Sequence, residues 1–216
     1  MTQHNIFQEV EEDLDRQKLE ALWRRYGPFV VAAAAAIIIA TAGTTAWNSW
    51  RDTQQQKATN GLIEILSAAN PDPHQEIEAL EHFAGRQPGE TQATFARLQG
   101  GAVAAKAGDQ AKAVALYDIV AADKDADPAF RQLADLLAVQ TQMDKADPVT
   151  LQKRLQPLLA DNAPWRTTAM EYEAFLALRA GDKPKARQLF GELSQDADAP
   201  SSLRARAADM LRFVGE

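Results

Sequence analysis

The chain has 216 residues, 46% apolar and 25% charged, a balance that suits a folded domain and excludes a wholly disordered one. It contains no cysteine, which excludes disulfides and thiolate metal sites. Its net charge of -7 comes without a basic stripe, against a nucleic-acid surface, and few runs alternate Val, Ile and Thr, against a β-rich fold.

The charge is unevenly spread. Residues 1–25 carry four Lys/Arg and six Asp/Glu, residues 26–50 carry none, and residues 51–216 carry 19 Lys/Arg and 24 Asp/Glu. The first segment predicts a short amphipathic helix. Ile6, Val10 and Leu14 lie four apart, and Glu12–Arg16 and Glu20–Arg24 are i,i+4 pairs in the favourable order. It reads either as a solvated or interfacial lead-in or as a docking element for a soluble partner.

The uncharged segment Tyr26–Trp50 predicts a transmembrane helix. At 1.5 Å per residue it reaches roughly 37 Å, enough for a hydrocarbon layer about 30 Å thick. Trp23 and Tyr26 precede it and Trp47 and Trp50 end it, an aromatic belt at each interface. Its insertion energy is modest. Phe29, Val30, Val31, Ile37, Ile38 and Ile39 supply about -2 to -3.5 kcal/mol together, and Thr41, Gly43, Thr44 and Thr45 oppose it. Two other readings stand beside the anchor. One is a buried Ala-rich helix. The other is a signal peptide cut after Ala40-Thr41-Ala42, although the long acidic lead-in does not suit that reading. Arg16, Lys18, Arg24 and Arg25 before the span outnumber Arg51 and Lys57 after it, which predicts a cytoplasmic N-terminus and a body across the membrane. In a Gram-negative bacterium that places the anchor in the inner membrane and the body in the periplasm. Ala32, Ala36, Ala40 and Thr44 form a small-residue stripe on which another membrane helix can pack, a feature any Ala-rich helix also has.

Beyond Trp50 the chain predicts helices punctuated by Pro, Gly and Asp. Residues 51–90 read as a linker helix over 51–69, stopped by Asn70-Pro71-Asp72-Pro73, and a short helix over 74–84. Residues 91–216 read as a helical domain, with helices over 91–107, 110–122, 128–143, 149–160, 165–180, 183–195 and 201–213. The fold class is all-α.

Within this domain a pattern recurs. Gly108-Asp109 and Gly181-Asp182 each follow an alanine. Each is followed by an alanine five residues after the glycine (Ala113, Ala186) and an aromatic nine after it (Tyr117, Phe190). Each is preceded by a small residue seven before it (Gly101, Ala174). The two copies leave room for one degenerate helical pair over 128–160. The pattern resembles the tetratricopeptide repeat, a 34-residue helix–turn–helix unit; a generic antiparallel hairpin with Gly-Asp turns is the plainer alternative. Arg97 and Met170 stand where the repeat usually has a large aromatic, and Pro128 and Pro200 come about three residues late. The resemblance implies an α-solenoid, whose units bury their apolar faces by stacking. It also implies a partner-binding groove lined by the first helix of each pair: Phe95, Leu98, Ala102 and Lys106 from one unit, and Thr168, Glu171, Phe175 and Arg179 from the other. For the apolar ones, simple core packing is the alternative.

Over its whole length the chain resembles the YfgM-like ancillary subunits of the SecYEG translocon. The residues that carry this are Ile6-Phe7, Glu9 to Glu12, Leu22 to Pro28, the anchor ending in Trp47 and Trp50, and the two Gly-Asp turns. The resemblance implies a single-pass inner-membrane protein with a periplasmic repeat domain. It implies association with the translocon and with a membrane-anchored periplasmic prolyl isomerase-type chaperone, in the handling of exported proteins. The same domain family includes cell-division coordinators, so another envelope machine is the alternative, as is a regulatory scaffold acting through the cytoplasmic head.

No catalytic set emerges. His4, His74 and His82 have no familiar ligand spacing, and Gly100, Gly101 and Lys106 only mimic the composition of a phosphate loop inside a helix. Asp125 and Asp127 belong to an acidic loop that a helix start explains. The sequence therefore predicts a protein that is not an enzyme, with no cofactor, metal, small-molecule substrate or nucleic-acid partner.

Overall fold

A computed structural model describes residues 41, 44–68, 72–86 and 91–215. The chain divides into two units, Met1–Lys57 and Ala58–Glu216. Among the described residues the only regular structure is helical.

In the first unit residues 44–57 are helical. Trp47 and Trp50 stand exposed one turn apart, their ring centroids 5.5 Å from each other. Thr44 and Thr45 each donate a hydroxyl to the Thr41 carbonyl, at 2.9 and 2.8 Å, which satisfies polar groups within the helix itself. Among the described residues no helix is long and apolar enough to cross a membrane. Most of the expected span, residues 26–40, 42 and 43, lies outside the described residues, as do the acidic head 1–25 and Ala32, Ala36 and Ala40.

The second unit is a run of helices: α1 (58–67), α2 (Pro73–Arg86), α3 (Thr91–Lys106), α4 (Gln110–Ala122), α5 (Pro128–Gln142), α6 (Pro148–Leu155), α7 (Arg166–Arg179), α8 (Lys183–Gln195) and α9 (Ser201–Gly215). Ala58 and Leu62 of α1 share a core with Leu80, Phe83 and Ala84 of α2 and Ala93 and Ala96 of α3. Residues 58–86 thus pack into the stack that the following helices continue.

One expected helix is interrupted. Residues 149–160 form α6 and then a 3-10 turn, Gln156–Leu159. Pro157 has no N–H to give to the preceding turn and its ring crowds the carbonyl four residues back, so the α-helix stops at Leu155.

From α2 to α9 each helix packs against its neighbours in sequence, and side-chain contacts join alternate helices. Five ties make this explicit. Phe95 of α3 meets Phe130 of α5 edge-on at 4.9 Å. Trp165, at the start of α7, donates its indole N–H to the Ala129 carbonyl of α5 at 2.8 Å. Arg206 of α9 donates to Glu171 of α7. In the other set Lys112 of α4 pairs with Glu81 of α2 at 2.7 Å, and Arg154 of α6 with Asp118 of α4 at 2.6 Å. These ties put α3, α5, α7 and α9 in one layer and α2, α4 and α6 in another, with α8 packed against α7 and α9. Four of the five ties join residues 35 or 36 apart, about half the separation of Gly108 and Gly181 and so the spacing of successive helix pairs in this chain. Side chains one repeat apart come together because each helix pair stacks on the last in the same way.

Candidate functional site

The geometry of the stack is set at its turns. Gly108 and Gly181 have φ of 88° and 82°, a conformation that costs an L side chain roughly 1–2 kcal/mol. Each ends a helix in the same way. The Asp109 N–H reaches the Ala104 carbonyl at 2.9 Å and the Gly108 N–H that of Ala105 at 3.1 Å; Asp182 and Gly181 repeat this on Ala177 and Leu178, at 2.8 and 3.0 Å. This 6→1 and 5→2 pair is the Schellman closure, which needs the left-handed residue. The aspartate then begins the next helix. Asp109 accepts from the Lys112 N–H at 2.9 Å and Asp182 from the Lys185 N–H at 3.0 Å, filling the N-cap role. Two adjacent residues thus stop one helix and start the next, which makes a hairpin.

Close approach inside each hairpin requires small residues opposite large ones. A Cβ added at Gly101 would lie 2.4 Å from Tyr117 Cε1, and Tyr117 is buried in the core with Ala113 and Leu116. In the second copy Ala174, Ala186 and Phe190 occupy the same places and are fully buried. Arg97, where the repeat usually carries an aromatic, lies 3.9 Å from Asp123, while Met170 is buried in the α7–α9 core.

The predicted groove residues fall on α3 and α7 in the first layer, in different surroundings. Phe95 is 46% exposed and stacked on Phe130. Ala102 and Lys106 are exposed. Leu98 is only 8% exposed and belongs to the α2–α5 core. Thr168 is half-buried. Phe175 packs edge-on against Phe190 at 5.3 Å. Glu171 is 6% exposed, and both its oxygens accept from Arg206, Nε and Nη2 at 2.9 Å each. That hydrogen bond and the carboxylate charge raise the Arg206 pKa further. Arg179 is exposed and donates to the Met143 and Ala146 carbonyls, which closes the connection from α5 to α6. Of the predicted residues, the structure leaves Phe95, Ala102, Lys106 and Arg179 open to solvent. Sequence reasoning missed Phe130 and Arg206, although each lies 35 residues beyond a residue it had singled out.

Several groups with chemical potential are committed to structural contacts. Asp127 caps α5 through the Ala129 N–H at 2.7 Å, and Asp125 donates its own N–H to Asp123. His74 and His82 are exposed on α2. Glu173 is buried and held by Lys185. Among the described residues no three His, Asp or Glu side chains gather as a metal site. A shallow cavity of about 330 Å³ between α4 and the end of α5 is lined by Gln110, Ala111, Val114, Gln142, Lys145 and Ala146, which include no general acid–base pair.

The sequence pattern of the tetratricopeptide repeat-like domain matches residues 20–205. The chain belongs to that family. The Gly-Asp hairpins, the small-against-aromatic packing and the two layers are the family's architecture in this chain, and the fold is a protein-interaction module. No curated protein and no solved structure matches the chain.

Proposed function

We propose that this repeat protein is a membrane-anchored adaptor that binds other proteins through the face formed by α3, α5, α7 and α9 and performs no catalytic step of its own. The supporting observation is the Phe95–Phe130 pair. It is a half-open aromatic platform on adjacent helices of the first layer, in a family whose role is interaction. Exposed aromatic anchors of this kind supply much of the binding energy of protein interfaces. The uncharged segment 26–50 with its flanking tryptophans supports the anchor, and the cation excess before it supports a body across the membrane from the N-terminus.

We further propose that the anchor lies in a bacterial inner membrane with the body in the periplasm. There the face serves the Sec translocon and a membrane-anchored prolyl isomerase-type chaperone, in the handling of exported chains. The resemblance of the head and anchor to YfgM-like subunits supports this pathway. A second reading, a scaffold that engages a soluble partner through its head, is favoured by the apolar spacing of Ile6, Val10 and Leu14 within acidic surroundings.

Gentle solubilisation and affinity purification of the full chain, of a variant lacking residues 1–20 and of Phe95→Ala, with quantification of co-purified proteins, tests these readings together. Translocon and chaperone components should survive the head deletion and fall with Phe95→Ala. Recovery that is lost with the head and unchanged by Phe95→Ala favours the scaffold. Release of the full chain from membranes by carbonate refutes the anchor.

A further inference from the structure

The net charge of -7 hides a segregation of sign. The four helices of the first layer carry carboxylates that are already matched: Asp135 by Arg154, Glu171 by Arg206, Glu173 by Lys185 and Asp209 by Arg212. On α3 there is no acidic residue at all. The same helices carry cations that meet no carboxylate among the described residues. Lys106 is exposed with no ion-pair partner. Arg179 and Arg204 donate only to backbone carbonyls. The Arg131 Nε is buried without an acceptor. The remaining negative charge lies in the connections, where Asp109, Asp127, Asp147 and Asp182 are committed to helix starts, and on helices outside this layer, such as Glu76, Glu78 and Glu81 of α2. Unmatched side-chain charge on these four helices is therefore positive. On α3 the unmatched Lys106 lies about three turns beyond the apolar platform of Phe95 on Phe130, with the small, exposed Ala102 between them.

We infer that the partner of this face is an acidic protein segment that carries a bulky apolar side chain, an inference that rests on the first layer being the interaction face. The apolar group seats on Phe95 and Phe130, and a following carboxylate faces Lys106. Eleven residues of helix separate Phe95 from Lys106, roughly 16 Å. An extended segment covers that distance in about five residues. The charge match governs encounter rate and partner choice, and the aromatic platform supplies the affinity. A basic segment meets unmatched cations there and is rejected by like charge.

The test uses the full chain in nanodiscs and fluorescein-labelled 15-residue peptides. Each peptide bears one tryptophan and, five residues on, a cluster of Glu, Gln or Lys. Anisotropy should show the Glu peptide binding at least about tenfold more tightly than the Gln peptide at low salt, with the advantage shrinking as ionic strength rises. Lys106→Met, which keeps the aliphatic stem of an exposed side chain, should remove most of that advantage. Phe95→Ala should weaken both peptides, and Ile119→Ala, on the exposed face of α4, should weaken neither. If all three peptides bind equally and Phe95→Ala still weakens them, the acidic partner is refuted while the interaction face stands. If none binds and a photo-crosslinker at position 95 captures no protein in cells, both are refuted. Tighter binding by the Lys peptide than by the Glu peptide would overturn the inference.

Discussion

A methyl group at position 101 would meet the Tyr117 ring 2.4 Å away, and the ring has no room to retreat because Tyr117 is 2% exposed. Gly101→Ala should therefore destabilise the fold by about 1–3 kcal/mol, the usual range for overpacking. A lower urea midpoint with an unchanged slope would register it. Tyr117 also sets a limit at high pH. Burial pushes its hydroxyl pKa above the usual tyrosine value, so the neutral phenol is favoured in the folded state. Its contribution is complete below the unfolded pKa of about 10 and is lost as pH rises through the folded value. Alkaline unfolding followed by tyrosinate absorbance should begin at higher pH in Tyr117→Phe than in the parent. Asp147 works at the opposite end of the scale. Hydrogen bonds from the Thr150 side chain and N–H hold its carboxyl below the usual range. That stabilisation of the α6 start is present above the unfolded aspartate pKa and disappears as pH falls through the folded one.

For the helices, the sequence was most legible where one residue type has one physical job. The predicted bounds of α4 and α8, 110–122 and 183–195, are those observed, because a glycine at positive φ followed by a capping aspartate permits few other arrangements. In the α6 region the helical pattern runs on past Pro157, and periodicity alone does not show that the proline ends the α-helix at Leu155. The two halves of a turn can be separated by mutation. Gly181→Ala should cost about 1–2 kcal/mol through backbone strain. Asp182→Ala should cost about 1 kcal/mol through the lost cap. Because both act on the same turn, their effects should couple in a double-mutant cycle by thermal or urea unfolding. Strict additivity would mean that the glycine and the aspartate act independently.

At the scale of the whole repeat unit, local pattern reveals which helices form but not which side chains meet. For Leu98 and Phe175 the register left groove and core both open; Leu98 lies in the core and Phe175 packs on Phe190. Phe95 was read the same way and is half open. The difference is decided by neighbours 15 to 35 residues away, and single-residue periodicity does not carry that information. The tie between Glu171 and Arg206 was invisible for the same reason, since nothing local marks a glutamate for pairing one repeat downstream. The repeat length was nevertheless in the sequence, and with it the separation at which such ties occur.

The central claim is that the α3–α5–α7–α9 layer is the face that meets other proteins. The most direct measurement places a photo-reactive phenylalanine analogue at position 95, and separately at 119 on α4, in the full chain expressed in cells, followed by identification of the crosslinked products. Discrete protein adducts at 95 with little or none at 119 are the predicted result; equal or greater capture at 119 with none at 95 would contradict the account.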